Sequence, residues 1–358
     1  MHFSIETQLL TVDPSDPDPQ IIEVAASAIR AGKLVAFPTE TVYGLGANAT
    51  DTQAVESIFV AKGRPSSDPL IVHIATYEQL PQVARAVPTA ALELARVFWP
   101  GPLTLILPRH PSIPLNVTAN RDTVAVRMPS HPVAQALLQQ SMVPIVAPSA
   151  NLFAHPSPTT AQHVLDDLQG RVDIVLDGGP TPIGLESTVV SLIEDEPVIL
   201  RPGGITIEAL QKHLPSITFQ AHYLSEEETT SGAPAPGMLS RHYAPRARLM
   251  LFSGDPQPVL RHIDQVIQEL RAAGKSIGIL ITDEEQHLFD SPEIEAIALG
   301  SSTDMAHIGQ RLFAAMRELD SRGVDVILVR EPSADGLGLT IRDRLLRATE
   351  GHVIQVDE

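Results

Sequence analysis

The stretch Lys33-Leu34-Val35-Ala36-Phe37-Pro38-Thr39-Glu40-Thr41-Val42-Tyr43-Gly44-Leu45-Gly46 decides the fold class. Lys33 to Phe37 reads as a buried strand, because a short apolar run closed by proline leaves no polar face for water. The hydroxyls and glycines after Pro38 then sit just beyond a strand end. Upstream, Asp18-Pro19 opens an amphipathic run, Ile21 to Arg30, and Gly32 closes it with a residue that tolerates a left-handed conformation. Downstream, Asp51 can cap a helix that runs through Lys62. Helix, strand, polar loop and helix in that order make an α/β unit. The segment Thr39 to Gly46 reads either as a Gly-rich strand-to-helix turn or as a ligand loop. It is not a Walker A loop, since no Gly-Lys-Ser/Thr follows, and Gly44-x-Gly46 is too short for a dinucleotide fingerprint.

The alternation continues. Strands are expected at Pro69–Ile74, Leu103–Leu107, Thr123–Met128, Pro144–Ala147, Asp173–Leu176, Ser187–Ile193 and Val198–Leu200. Helices are expected at Thr89–Val97, Pro132–Gln140, Thr160–Leu168 and Thr206–His213. Short Pro-rich links and a hairpin at Ser187–Leu200 argue against a simple doubly wound sheet, so a mixed, twisted sheet with helices is expected. Around Phe219 to Gly237 the pattern breaks into an acidic and then Pro/Gly-rich stretch. Strand and helix alternate again from Leu249 to Thr349, as in a smaller open α/β, Rossmann-like domain. With 358 residues, two domains are the natural division, residues 1–218 and 247–358, joined by a linker at 219–246.

Composition bounds the function. Hydrophobic residues make up 43% and charged residues 19%, an ordinary globular balance. No stretch approaches 18 apolar residues, the N-terminus lacks a secretion signal, and there is no cysteine, so a cytoplasmic enzyme without disulfides or thiolate chemistry is expected. Net charge is −18. Open nucleic-acid surfaces are usually basic, so positive charge here has to be concentrated in a pocket for a small anion.

Polar residues gather at strand ends, where open α/β sheets bind ligands. They are Thr39–Gly46, Lys62-Gly63-Arg64-Pro65 with Asp68-Pro69-Leu70, Asp122–Arg127, Ala147–Asn151, Glu186-Ser187-Thr188 and Arg201-Pro202-Gly203. Several have structural readings as well. Lys62 and Arg64 suit a helix C-terminus, Ser149 and Asn151 can cap a helix, and His73 sits in the apolar run Leu70–Ile74 as a core histidine would. Arg127 and Arg201 end apolar strands, where a guanidinium needs an anion; either a ligand or one of the chain's carboxylates could supply it. The 13 histidines show no metal-ligand spacing, and no Gly-x-Ser-x-Gly elbow is present.

Taken in order, Pro38–Gly46, Lys62-x-Arg64-Pro65, Asp122–Arg127, Ala147–Asn151, Glu186–Val190 and Leu200–Gly203 resemble the YrdC-like domain family. The addition of Pro236-Gly237-Met238, Arg241-His242-Tyr243-Ala244-Pro245 and a C-terminal α/β domain resembles the long, two-domain threonylcarbamoyl-AMP synthases. The resemblance implies a reaction of L-threonine, bicarbonate and ATP that gives threonylcarbamoyl-AMP and diphosphate, with Mg2+ accompanying ATP. The product would pass to a separate tRNA threonylcarbamoyl transferase for N6-threonylcarbamoyladenosine synthesis.

By the same resemblance, Thr41, His73, Arg127 and Ser187 hold L-threonine. Arg64, Asp68, Thr123, Ala147, Ser149, Ser157, Arg201 and Tyr243 surround ATP, with Lys62 and Arg64 as the catalytic cations and no protein metal site. Tyr243 lies in the linker motif, so the linker is expected to fold back as a lid. Two segments depart from the family pattern: Met238-Leu239-Ser240-Arg241, where relatives more often carry a basic or aromatic residue after the methionine, and Ser66-Ser67-Asp68, where relatives more often carry Asn before Pro-Leu. The competing function class is a tRNA or double-stranded RNA binding module, disfavoured by the acidic balance and the 4% aromatic content. No membrane association is expected.

Overall fold

The helix opened by Asp18 is α1 (Pro19–Arg30), in a computed structural model that describes residues 5–194, 196–219, 233, 235, 237 and 242–356. The Asp18 carboxylate accepts from Gln20 N, and proline opens the helix, where a missing N–H costs nothing. Its apolar face (Ile22, Ala25, Ala26, Ile29) packs along α5 (Pro132–Ser141). The chain then enters β2 (Val35–Phe37), buried throughout.

Here the strand-to-helix reading of Thr39–Gly46 is corrected. Gly44–Asn48 forms β3, antiparallel to β2, with Val35 opposite Gly46 and Phe37 opposite Gly44. Glycine permits this close pairing: a Cβ on Gly46 would lie 2.8 Å from the Phe37 ring and 3.0 Å from Ile145 Cγ2. Pro38–Tyr43 is therefore a hairpin connection, and α2 (Thr52–Lys62) follows only after β3. Asp51 caps α2 through Gln53 N and Ala54 N, and Gly63, at φ 64°, ends it in the left-handed conformation.

The first of two compact units (Met1–Phe153 with Ser157–Leu239) holds a mixed sheet. Besides β2 and β3 it comprises β1 (Gln8–Thr11), β4 (Ile71–His73), β5 (Leu103–Pro108), β6 (Thr123–Arg127), β7 (Ile145–Val146), β8 (Ile174–Asp177), β9 (Thr188–Ser191), β10 (Val198–Arg201) and β11 (Thr218–Phe219). Their order is β1-β8-β2-β3-β7-β4-β6-β5-β9-β10-β11. The expected hairpin is the antiparallel β9–β10 pair, and two short helices, α3 (Leu80–Val83) and α7 (Ile207–Gln211), also belong to this unit. β1 and β11 were not expected from the sequence; β1 is a largely exposed edge strand without apolar alternation. Alternate residues of β2 serve separate cores. Ala36 joins α2, α4 (Thr89–Phe98) and α6 (Ala161–Leu168) on one face, while Val35 and Phe37 join α1 and α5 on the other.

The second unit (Ala154–Pro156 with Ser240–Glu358) is a five-stranded parallel sheet. It comprises β12 (Arg248–Ser253), α8 (Pro256–Ala272), β13 (Ile277–Ile281), β14 (Ile294–Ala298), α9 (Met305–Ser321), β15 (Val326–Arg330), α10 (Leu337–Ala348) and β16 (Val353–Gln355). The strand order is β14-β13-β15-β12-β16, the open α/β arrangement expected. His242–Arg246 belong to this unit: Tyr243 stacks on Phe313 with centroids 5.4 Å apart, and the Arg344 guanidinium stands 4.9 Å from the Tyr243 ring centre. Among the described residues no helix is long and apolar enough to cross a membrane.

Candidate active site

The sheet register of the first unit draws dispersed residues into one row. His73 pairs with Arg127 across β4–β6, Arg127 with Thr104 across β6–β5, Thr104 with Val189 across β5–β9, and Val189 with Arg201 across β9–β10. Residues in register on neighbouring strands share a face. His73, Arg127, Thr104 and Arg201 therefore line a single buried row.

Arg127 is the centre of this row. Its Nη2 donates to Glu40 Oε1 at 2.6 Å, Nη1 to Thr41 Oγ1 at 2.9 Å and Nε to Gly101 O at 3.3 Å. The second Glu40 oxygen accepts from Ser130 N at 3.1 Å. The anionic partner that a strand-end arginine requires is thus Glu40, while one N–H on each Nη has no protein partner among the described residues. His73 lies beside it. Complete burial, with the Arg127 charge adding to it, lowers the His73 pKa to about 3, so the ring is neutral near pH 7. On the next strand Thr104 and Ser187 share a 2.7 Å hydroxyl–hydroxyl bond, and Arg201 Nη2 donates to Ser187 O at 2.8 Å. Ser187 consequently links the Arg127 side of the site to Arg201. A Cβ on Gly203 would lie 2.3 Å from Ser187 C and Thr188 N, so only glycine lets the turn after β10 approach this closely.

A second group gathers around Asp68. Burial raises its pKa, and Arg64, Lys62 and Arg201 pull in the opposite direction, so three cations act on one fully buried carboxylate. Arg64 Nη2 lies 2.9 Å from Asp68 Oδ2, and Arg64 also donates to Asp68 O and Pro69 O, which pins the loop after α2. Lys62 Nζ donates to the carbonyls of Ser149 and Asn151 at 2.6 and 2.5 Å. Lys62 is 2% exposed, so its reading as a solvated helix end is set aside. Ser157 donates to Glu186, deep in the same unit. Ala147 follows β7 and donates its N–H to Ile71 O. Thr123 stands on the same face of β6 as Arg127, four residues away, or roughly 13 Å at 3.3 Å per residue.

Parts of the segment read as a linker also lie here. Ala233 N donates to Ser67 O at 2.9 Å, Gly237 N approaches Asp68 Oδ1 at 3.4 Å, and Ala235 is buried with Ile71, Ile106, Ala125 and Val189. Pro236 and Met238–Arg241 lie outside the described residues. Tyr243, assigned to ATP from sequence, is described with the second unit, against Phe313 and Arg344. Sequence reasoning assigned no role to Glu40, Thr104 or Glu186. A carboxylate inside the otherwise neutral Pro38–Gly46 segment is the signal that could have identified Glu40.

Comparison with known proteins gives the family. The Sua5/YciO/YrdC sequence family, described as telomere recombination, matches residues 27–203. The family described as threonylcarbamoyl-AMP synthase, C-terminal domain, matches residues 205–349. A threonylcarbamoyl-AMP synthase of Pyrococcus abyssi is 46% identical over 94% of this chain and 96% of its own, and one of Bacillus subtilis is 44% identical over 97% of each. The crystal structure of P. abyssi Sua5 complexed with L-threonine superposes with a TM-score of 0.90 at 44% identity, covering 98% of this chain and 99% of that one. The chain belongs to the two-domain threonylcarbamoyl-AMP synthase family.

Proposed function

We propose that the protein converts L-threonine, bicarbonate and ATP into threonylcarbamoyl-AMP, diphosphate and water. The observation that supports this reading is a pair of buried polar sets, Glu40–Arg127–Thr41 and Thr104–Ser187–Arg201, brought side by side by the Arg127–Thr104 register; in this reading the first takes an amino-acid carboxylate and the second faces the nucleotide. Three anions have to meet in the reaction: the threonine carboxylate, the carbamate and the triphosphate. Their mutual repulsion explains a buried set of four cations in an otherwise acidic protein.

In this reading the two unpartnered Arg127 N–H groups take the threonine carboxylate, and Thr41 and Ser187 offer hydroxyls beside it. Neutral His73 adds a polar ring without a competing charge. The amine, once deprotonated, combines with bicarbonate to give the carbamate and water. A carbamate oxygen then attacks the α-phosphorus of ATP in line, and diphosphate departs. Lys62, Arg64 and Arg201 are fixed by carbonyls and Asp68, so little reorganisation is needed to stabilise the charge that develops. Mg2+ accompanying ATP would neutralise charge on the triphosphate. Thr123, Ala147, Ser149 and Ser157 complete the proposed nucleotide contacts of the first unit. The product is a mixed anhydride prone to hydrolysis, which favours direct hand-over to a tRNA-modifying transferase in the cytoplasm.

The test is diphosphate release with each of threonine, bicarbonate and ATP omitted in turn. Release is expected only with all three. Steady release without threonine, or salt-sensitive tRNA binding with no ATP turnover, overturns the proposal.

A further inference from the structure

The second unit has a cavity of about 260 Å³, and its position follows from the topology. β13 passes the chain outward to β14, whereas β15 passes it through α10 to β16 beyond β12. Adjacent strands therefore send their connections in opposite directions. In open parallel sheets, the crevice at such a divergence is where ligands bind. The walls are largely aliphatic, with Leu299, Ile308, Leu312, Ile341 and Leu345 among them, and Thr282, Ser302 and Ser333 add hydroxyl residues.

One charged pair lines this hydrocarbon space. Arg330 Nε and Nη2 both donate to Glu285 Oε1, at 2.9 and 2.6 Å, and Glu285 Oε2 accepts from Thr282 N at 3.0 Å. Arg330 Nη1 makes one long bond, 3.4 Å, to Glu331 O. A guanidinium carries five N–H groups, so one on each Nη lacks a partner among the described residues. Glu285 keeps further lone-pair directions of its own.

We propose that this cavity binds a small α-amino acid with an aliphatic side chain, as its zwitterion. The ligand carboxylate takes the two remaining Arg330 N–H groups, its ammonium meets Glu285, and its side chain lies among the aliphatic walls. Charge balance decides the ligand class. Arg330 and Glu285 already compensate each other, so a lone anion or cation would add an uncompensated charge to a poorly hydrated space, whereas a zwitterion adds none. The volume lies just under the roughly 300–1,000 Å³ of pockets for drug-sized ligands, which suits a ligand smaller than a nucleotide. Because the hydroxyl residues Thr282, Ser302 and Ser333 also line the space, L-threonine is titrated beside the aliphatic amino acids. The cavity belongs to the second unit, whereas the proposed threonine site belongs to the first.

The test is calorimetric titration of the full chain with L-valine, L-leucine and L-isoleucine. Isovalerate and isopentylamine serve as the two halves of the ligand, and L-threonine is compared in the Arg127→Ala variant. One binding event per chain is expected for at least one aliphatic amino acid. It should be at least tenfold weaker for either half, retained in Arg127→Ala and lost in Arg330→Met. If Arg330→Met melts early, Ile308→Phe fills the cavity with the ion pair intact and should abolish binding in the same way. Absence of saturable heat with all three amino acids overturns the proposal, as does isovalerate binding as tightly as leucine. Binding lost in Arg127→Ala but kept in Ile308→Phe overturns it too, because the ligand would then occupy the first unit.

Discussion

Arg127→Ala separates what the guanidinium does for the fold from what it does for threonine. In the parent, Arg127 and Glu40 form a 2.6 Å pair with side-chain exposures of 5% and 7%. Removing the cation strands a buried carboxylate held by Ser130 N. Breaking one side of a buried pair costs about 3–5 kcal/mol. At about 2–4 °C per kcal/mol for a domain of this size, the melting temperature should fall by roughly 6–20 °C. Adding Glu40→Gln removes the stranded charge and should restore much of that loss. Threonine affinity should behave differently, because the charge-assisted bonds to its carboxylate are absent from both variants. A loss of about 1.5–3 kcal/mol corresponds to roughly 10- to 150-fold in Kd. The measurements are thermal melts for stability and calorimetry for L-threonine and ATP. If the double variant regains threonine affinity together with its melting temperature, Arg127 served the fold alone and its proposed contact is wrong.

Thr104→Val removes the hydroxyl that holds Ser187 and should raise the KM for threonine about five- to tenfold, for a hydrogen bond of about 1–1.4 kcal/mol, with the melting temperature nearly retained. Gly203→Ala drives a Cβ into the Ser187–Thr188 backbone, so diphosphate release should collapse with a destabilisation of about 1–3 kcal/mol or more; a fully active variant contradicts the packing described. His73 titrates near 3 when folded, against about 6.5 when unfolded, so the unfolded chain binds the extra proton between those values. Its contribution to stability is fully present above pH 6.5 and is lost as pH falls toward 3, by up to about 1.4 kcal/mol per pH unit. Denaturant titrations at pH 6 and pH 4.5 should show a smaller difference for His73→Asn. L-Serine should be a substrate about 10- to 200-fold poorer than L-threonine by kcat/KM, the worth of one methyl in an apolar niche; equal rates rule that niche out.

The sequence by itself determined the local elements and their class. Asp18 and Asp51 capped the helices anticipated for them, Gly63 ended α2, and apolar runs became buried strands, because caps and burial patterns act over a few residues. It also showed that polar residues collect at strand ends, and the ordered set of those clusters carried the family resemblance. The reading failed at Gly44–Asn48, where two glycines suggested a turn. Their lack of side chains instead allowed a strand to close against Phe37 and Ile145. Only the tertiary structure decided which charge meets which. Glu40 lies 87 residues from Arg127, and Thr104 lies 83 from Ser187. With 43 carboxylates in the chain, no local rule selects Glu40 for Arg127. That choice belongs to sheet register, which long-range burial fixes: shifting a strand by one residue would turn His73 or Arg127 to the opposite face and dissolve the row.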